Sequence, residues 1–505
     1  MTCESPKVFL VGAGPGSPGL LTLRAAEVLG QADLVLYDQL VPRRLLDFAR
    51  PTAETICVRD LPGHHPDKYP HIHNLLIERA RAGQTVVRLK GGDPLIFGRG
   101  GEEAEALRKA GIAYEIVPGV TAALAAGAYL DVPLTHRNFA SAVALVTGHE
   151  LPHKPGNPLD WKALAAFPGT LCIYMGVAKL PVIVAELVKH GKSPDTPACI
   201  VERASTGDQR TIHSRLADLE EARRNAGLEA PGLIVIGEAV SHRPAHSWWE
   251  SRPLFGQRVL VTRPAHQAED MVRKLEQLGA VVYRLPAVEI RDPANFAPLD
   301  AALNEKWDWI VFTSANGVHA LMRRIEALGR DLRALGSVKL AAIGPRTAAA
   351  LREYHLTADL VPDTFNSEGL VAALKSAASR QRVLLARANR GRELLKEELS
   401  KVAEVHQVVV YEQIDAVEPD ADALNHLRRG EIRYVTLTSS KIAENLLKLF
   451  DETMKGRVER GEIELVAISP ETGRAIRALG FKVAAEATAF TSDGLIDAVL
   501  RLAAK

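Results

Sequence analysis

Three residues able to do chemistry share one glycine-rich run, Gly91-Gly92-Asp93-Pro94-Leu95-Ile96-Phe97-Gly98-Arg99-Gly100-Gly101-Glu102. Asp93 offers acceptors suited to ribose hydroxyls or an amino group. Arg99 and Glu102, three apart, place charge at a helix entrance. The run follows an apolar stretch, 85–89, that reads as a buried strand, and precedes 103–110, which reads as a helix. It therefore lies at the carboxyl end of a strand, where open α/β sheets bind ligands. Its glycines let backbone approach a ligand at conformations a side chain would forbid. The bland alternative, for this run alone, is an ordinary glycine-rich turn. A further carboxylate, Asp38, ends the strand 34–37. It is either a base or ligand anchor, or a cap on the next turn.

Other groups invite a metal or an anion. His64, His65, Asp67, His71 and His73 stand close together, and imidazoles beside a carboxylate can chelate. Their spacing matches no named site, and Pro62, Pro66 and Pro70 suggest an irregular, solvated loop, so no metal is expected. In the second half, Thr313-Ser314 matches Thr438-Ser439, Thr347 matches Thr472, and Gly369 matches Gly494, each at an offset of 125 residues. One constant offset implies two similar α/β domains. In each copy a hydroxyl pair follows a strand and opens a helix, and helix starts receive anions well. Each such residue is also a plain helix cap. The duplication favours a cleft rimmed by donors from both copies.

These groups need elements to hold them. Residues 7–12 read as a parallel-sheet strand entering Gly12-Ala13-Gly14-Pro15-Gly16-Ser17-Pro18-Gly19, then a helix over 20–29. Ser17 replaces the third glycine of a dinucleotide fingerprint and two prolines stiffen the loop, which argues against NAD. Residues 114–123 read as strand, turn and small-residue helix. Strands are expected over 142–147, 171–175, 198–202, 211–212 and 233–236, with a helix over 180–189. Residues 242–253 read as a linker anchored by Trp248 and Trp249. A chain of 505 residues suggests three or four domains. The formal net charge of +1 and the lack of basic runs interleaved with aromatics give no sign of nucleic acid. Cys3, Cys57, Cys172 and Cys199 form no CxxC, and no signal peptide or long apolar run is seen. A reduced cytoplasmic protein without membrane or nucleic-acid partners is expected.

Residues 7–245 resemble uroporphyrinogen-III C-methyltransferases of the tetrapyrrole methylase family. The runs that carry the likeness are VGAGPGSPGLLTLRA, LVLYDQLV, RLKGGDPLIFGRGGEE, VPGVTAALAA, PLTHR and YMGV. Residues 256–505 resemble uroporphyrinogen-III synthases through FTSANGV, AIGPRTA, SEGL, VVVYE and LTSS. The resemblance implies an α/β fold: a two-domain tetrapyrrole methylase fold followed by two similar α/β domains of the uroporphyrinogen-III synthase fold. It implies methylase domains at 1–118 and 119–245, a linker at 246–255, one synthase domain at 256–290 plus 412–505, and another at 291–411. The synthase half would cyclise hydroxymethylbilane. The methylase half would methylate the product at C2 and C7 with S-adenosylmethionine, without a metal, giving precorrin-2 for sirohaem or cobalamin.

Carried over by position, Pro15, Gly91, Gly92, Asp93, Ile96, Thr121, Ala122, Met175 and Ala204 would hold the methyl donor. Asp38 would accept a proton, and Arg99 and Glu102 would serve the tetrapyrrole. Tyr411 matches a tyrosine near the synthase cleft, and Thr313, Ser314, Ser439 and Thr472 match polar cleft positions. The substrate's eight carboxylates make Arg88, Arg99 and Arg137 candidate receivers in the first half, and Arg263 and Arg387 in the second. A homodimer through the methylase half is also implied. The resemblance breaks at 58–65, where the family's V-G-K-R-x-G-x-H run carries a proton-donating lysine. Here Asp60 takes its place, with Arg59 and His64 nearby. Three alternatives remain at this level: a methylase of a later corrin precursor, a non-catalytic tetrapyrrole-binding module in the second half, and a degenerate methyl-donor binder in the first.

Overall fold

The structure, a computed structural model, describes residues 7–63, 68–149, 159–391, 393–415 and 421–504, with backbone alone at 265, 266 and 421. Its first sheet contains β1 (Val8–Gly12), β2 (Leu34–Tyr37), β3 (Glu54–Cys57), β4 (Val86–Lys90) and β5 (Tyr114–Val117). Their order is β3-β2-β4-β1-β5, and every pair is parallel. Side chains alternate between two covered faces. Phe9, Val11, Val35, Val87 and Leu89 pack with Ala25, Val28 and Leu29 on one face. Val8, Leu10, Leu34, Leu36 and Val86 pack with Ile72, Leu76, Ala104 and Leu107 on the other. Covering both faces explains why these strands read as nearly continuous apolar runs.

One expected loop is a helix. Residues 68–73 belong to Lys68–Arg81, with Pro70 in its first turn. A proline there forfeits no intrahelical bond, because the first four N–H groups have no partner within the helix. Its apolar stripe, Ile72, Leu76 and Ala80, is buried against the sheet. His71 is exposed and His73 half-buried, while His64, His65 and Asp67 lie outside the described residues. Among the described residues, no group of three or more His, Cys, Asp or Glu is placed to hold a metal.

The second sheet contains β6 (Val143–Thr147), β7 (Thr170–Tyr174), β8 (Pro197–Glu202), β9 (Arg210–Arg215) and β10 (Gly232–Ile236), in the order β6-β7-β10-β8-β9. Only β6 and β7 run parallel. After it, Trp248 donates to the Ala128 carbonyl at 2.8 Å and Trp249 to that of Thr206 at 2.9 Å, both rings resting against Tyr129.

The second half holds β11 (Arg258–Val261), β12 (Val281–Arg284), β13 (Val288–Arg291), β14 (Trp309–Phe312), β15 (Lys339–Ala342), β16 (Arg382–Ala388), β17 (Glu404–Asp415), β18 (Tyr434–Leu437), β19 (Glu464–Ala467) and β20 (Ala485–Glu486). They form two sheets, β12-β11-β18-β19-β20 and β13-β17-β16-β14-β15. The duplication is structural. β14 and β18 start at 309 and 434, β15 and β19 at 339 and 464, and the helices that follow at 345 and 470. Each pair keeps the 125-residue offset. The expected domain cuts at 290/291 and 411/412 fall inside paired strands, because β13 runs antiparallel to the end of β17, from Val288 opposite Asp415 to Arg291 opposite Glu412. By packing, the chain divides into two compact units, one carrying the first two sheets and the other most of the last two.

Candidate functional site

Three loops cross at the carboxyl ends of β1, β4 and β5. Gly14 and Gly92 exchange backbone hydrogen bonds of 3.1 and 2.8 Å. A Cβ on Gly12 would lie 2.5 Å from the Gly119 nitrogen, and one on Gly119 would lie 2.3 Å from the Gly92 oxygen. Only glycine allows that approach. Asp93 ties the crossing together, its two oxygens accepting the N–H groups of Leu95 at 2.9 Å and Gly119 at 3.1 Å.

Beside the crossing lies a cavity of about 670 Å³. Pro15, Gly91, Gly92, Ile96, Thr121, Ala122, Met175 and Ala204 line it, together with Asp38. Asp93, expected among them, is absent from the lining and acts on the loops behind it. Three lining residues without a glycine's freedom hold positive φ: Phe97 at 55°, Met175 at 54° and Arg203 at 50°. Each such conformation costs on the order of 1–3 kcal/mol, and strain of this kind gathers at functional sites. Leu40, Phe97 and Met175 give the rim an exposed apolar character. Tyr174 braces the wall. Its hydroxyl pairs with Thr121 Oγ1 at 2.7 Å and accepts from the Ala123 N–H at 2.9 Å, and its ring lies 4.9 Å from that of Phe97.

Charge is arranged around Asp38. Arg88 Nη2 donates to Asp38 Oδ1, and Arg88 Nε donates to Glu103 Oε1 at 3.0 Å. Arg88 is only 2% exposed, so it is no receiver of substrate carboxylates. The expectation fails because β4 turns this side chain towards the helices rather than the cavity. Arg99 and Glu102 bond each other, and the Arg99 guanidinium sits 3.4 Å over the Tyr69 ring. Neither lines the cavity, and Arg137 lies on an exposed turn outside the lining. Arg59 and Asp60 form an exposed pair at 3.5 Å. Lys68, unremarked in the sequence, brings an ammonium to this segment through the Val58 carbonyl at 3.3 Å and that of Arg59.

In the second half, Ser314 and Ser439 are N-caps, accepting from Gly317 at 3.1 Å and Ile442 at 3.2 Å. Thr313 is half-buried beside Ser314. Tyr411 is 3% exposed, and its hydroxyl meets Ser314 Oγ at 3.0 Å. Thr472 is 2% exposed and turned onto Ser469 Oγ at 3.2 Å. The two copies touch where Gln267 donates to Asn316 Oδ1 at 2.8 Å. Arg263 is buried, donating to Ser492 Oγ at 2.7 Å and Gln267 Oε1 at 2.9 Å. Burial first, then the nearby Arg346, push its guanidinium down to about 10. Arg387 is buried too, donating to Gln407 at 3.2 Å.

Two family models match the chain: Tetrapyrrole (Corrin/Porphyrin) Methylases over residues 7–220, and Uroporphyrinogen-III synthase HemD over residues 269–497. A porphyrin biosynthesis protein HemD of Ruminiclostridium josui is 34% identical over 98% of both chains. The chain belongs to the fused tetrapyrrole methylase–uroporphyrinogen-III synthase family. Its methylase half is also similar to an S-adenosyl-L-methionine-dependent uroporphyrinogen III methyltransferase of Methanosarcina barkeri, 46% identical over 46% of this chain and 92% of that one. It is similar in turn to the crystal structure of uroporphyrin III C-methyl transferase from Thermus thermophilus, 44% identical, with a TM-score of 0.40 over 46% of this chain and 93% of that one.

Within the methylase half, the sequence left four contributors unmarked. Tyr174 and Phe97 stand inside the runs YMGV and RLKGGDPLIFGRGGEE but were given no role, and Arg203 gives no signal in one dimension. Lys90 was legible as a charge in an apolar strand. In the synthase half, Asn316 stands inside the run FTSANGV, which says nothing of its contact with Gln267.

Proposed function

We propose that this bifunctional tetrapyrrole-biosynthesis enzyme closes hydroxymethylbilane to uroporphyrinogen III and methylates that product at C2 and C7, giving precorrin-2. One observation carries the reading: a single cavity is walled by the three crossing glycine loops and by Met175 and Ala204, with Asp38 on its wall. Its volume lies within the range of roughly 300–1,000 Å³ usual for small-ligand sites. The residues fit a methyl donor. Gly91 has no atom within 4 Å of where a Cβ would stand, leaving open space for a ligand against bare backbone. When bound, S-adenosylmethionine supplies an electrophilic methyl group to a pyrrole carbon. Pro15, Gly91, Gly92, Thr121, Ala122 and Ala204 hold the donor, and the Met175 side chain faces it from the strained wall. Asp38 takes up the pyrrole N–H proton that the ring releases once its carbon has gained the methyl group. The apolar rim of Leu40 and Phe97 suits the flat face of a macrocycle. Alignment and a proton sink are what such a displacement requires of a protein.

In the synthase half, the capped helix starts at Ser314 and Ser439, with Arg263 and Arg346, offer donors to a polycarboxylate. Tyr411 acts through Ser314, which it holds. A homodimer through the methylase half and a cytoplasmic location belong to the same reading. No helix among the described residues is long and apolar enough to cross a membrane. Two assays on the whole chain test the proposal. Hydroxymethylbilane alone should give uroporphyrinogen III in excess over the spontaneous isomer I. Uroporphyrinogen III with S-adenosylmethionine should be methylated, whereas methylation of precorrin-2 alone would assign the first half to a later step.

A further inference from the structure

The middle strand of a parallel sheet normally reads as an unbroken apolar run, because both faces are buried. β4 departs from this. Arg88 and Lys90 are 2% and 1% exposed, and they alternate with Val87 and Leu89, which pack on the opposite face. Arg88 stands between Leu10 of β1 and Leu36 of β2. Glu103, fully buried in the helix Gly100–Lys109, receives Arg88 Nε at 3.0 Å and Lys90 Nζ at 2.9 Å on the same oxygen, Oε1. Its other oxygen, Oε2, has no hydrogen-bond partner. Arg88 also donates to the carbonyls of Leu36 at 3.4 Å and Leu89 at 3.2 Å, and reaches Asp38 at the cavity wall with Nη2.

Such a cluster is a poor device for stability. Well-packed apolar residues of similar volume are often as stable as a buried ion pair or more so. It does, however, fix a carboxylate. The guanidinium is planar, and its donors are set in a fork that restricts the orientation of Asp38. It does not give up its own proton, so the proton that Asp38 accepts has to come from the cavity side. Glu103 opposes the pull of Arg88 and Lys90, leaving the four charges balanced. His73 lies beside this cluster, where the charges of Glu103, Glu102, Arg99 and Lys90 act on it. His73 has a buried Nε2 without a partner.

We infer that Arg88 is a positioning residue for methyl transfer, holding the Asp38 carboxylate towards the cavity, while Glu103 and Lys90 set the charge that Asp38 feels. The inference rests on the reading of Asp38 as proton acceptor. As the ring's π pair forms the carbon–methyl bond at a carbon that already bears a side chain and the methyl–sulfur bond breaks, the pyrrole N–H proton passes to an Asp38 oxygen and its electron pair stays on nitrogen, neutralising the ring.

The test uses the full chain with uroporphyrinogen III and S-adenosylmethionine, comparing Arg88→Met, Arg88→Lys and Glu103→Gln with wild type across pH. Arg88→Met should lower kcat about 100-fold with the donor KM within about threefold, and Arg88→Lys should recover about tenfold of that loss. Glu103→Gln should move the acid limb of the pH–rate profile to lower pH, because the unopposed cations favour an ionised Asp38. Arg88→Met with kcat near wild type, Arg88→Lys no better than Arg88→Met, or an unmoved Glu103→Gln profile would each overturn the inference. If circular dichroism shows Arg88→Met unfolded, the other two variants decide. Arg88→Lys should then fall about tenfold below wild type, and full activity would overturn the inference. A wild-type chain that transfers no methyl group removes the functional reading itself, and the inference with it.

Discussion

Gly119→Ala probes the loop crossing that shapes the methyl-donor cavity. The added Cβ would lie 2.3 Å from the Gly92 oxygen and 2.7 Å from Gly12 Cα. Ordinary contact begins at 3.4 Å, so the Gly92 and Gly119 loops must part by about 1.1 Å. Neither obstacle is a flexible side-chain end; both are backbone. Overpacking of this kind costs about 1–3 kcal/mol. The same displacement would stretch the 3.1 Å bond from the Gly119 N–H to Asp93 and shift the Gly92 wall of the cavity. A misplacement near 1 Å lowers a rate by about 100-fold. Thermal unfolding and steady-state methylation of uroporphyrinogen III measure the two effects, with hydroxymethylbilane cyclisation as the internal control. Gly91→Ala supplies the contrast, since its Cβ meets nothing within 4 Å and the residue lines the cavity. That variant should melt with wild type yet bind the donor more weakly. Methylation by Gly119→Ala within about threefold of wild type would refute the crossing as the basis of the site.

Three further outcomes follow from other parts of the molecule. Asp38→Asn should slow methylation by about 100- to 10,000-fold while leaving cyclisation unchanged, as separate assays of the two activities would show. Arg263→Met should stabilise the folded chain by roughly 1 kcal/mol at neutral pH while weakening cyclisation. Burial makes the folded state resist this charged guanidinium, which sets the sign. Denaturant titrations at neutral pH check it; a variant less stable than wild type would contradict it. Cys172 and Cys199, whose thiols burial pushes up to about 12, should resist iodoacetamide near pH 8 until the chain unfolds, and peptide mass mapping would detect early labelling.

Much of this architecture could be read in advance where local chemistry and global packing agree. Strands such as Leu34–Tyr37 and Tyr114–Val117, and the helix Leu180–Lys189, lie where their apolar patterns put them. The family resemblance, carried over by position, named eight of the cavity's lining residues, and the glycine-rich loop at a strand end had singled out Gly91 and Gly92 among them. Facing was harder. Arg88 looked like a free cation, since a strand sequence does not say which face meets a helix and which a cavity. Pro70 concealed a helix start, and the cuts at 290/291 and 411/412 divide two strands that pair across more than a hundred positions. Asp93 stood out as an acceptor, and the folded chain gives its two oxygens to the N–H groups of Leu95 and Gly119. Tyr174 opens the run YMGV, yet only the folded wall shows that it braces Thr121.

The central claim is that one chain both closes and methylates the macrocycle. The most direct measurement supplies the intact protein with hydroxymethylbilane and S-adenosylmethionine under anaerobic conditions and follows the product by mass. A type III macrocycle two methyl groups heavier than uroporphyrinogen III is expected. Accumulation of uroporphyrinogen I, or of a type III ring without added methyl groups, would contradict it.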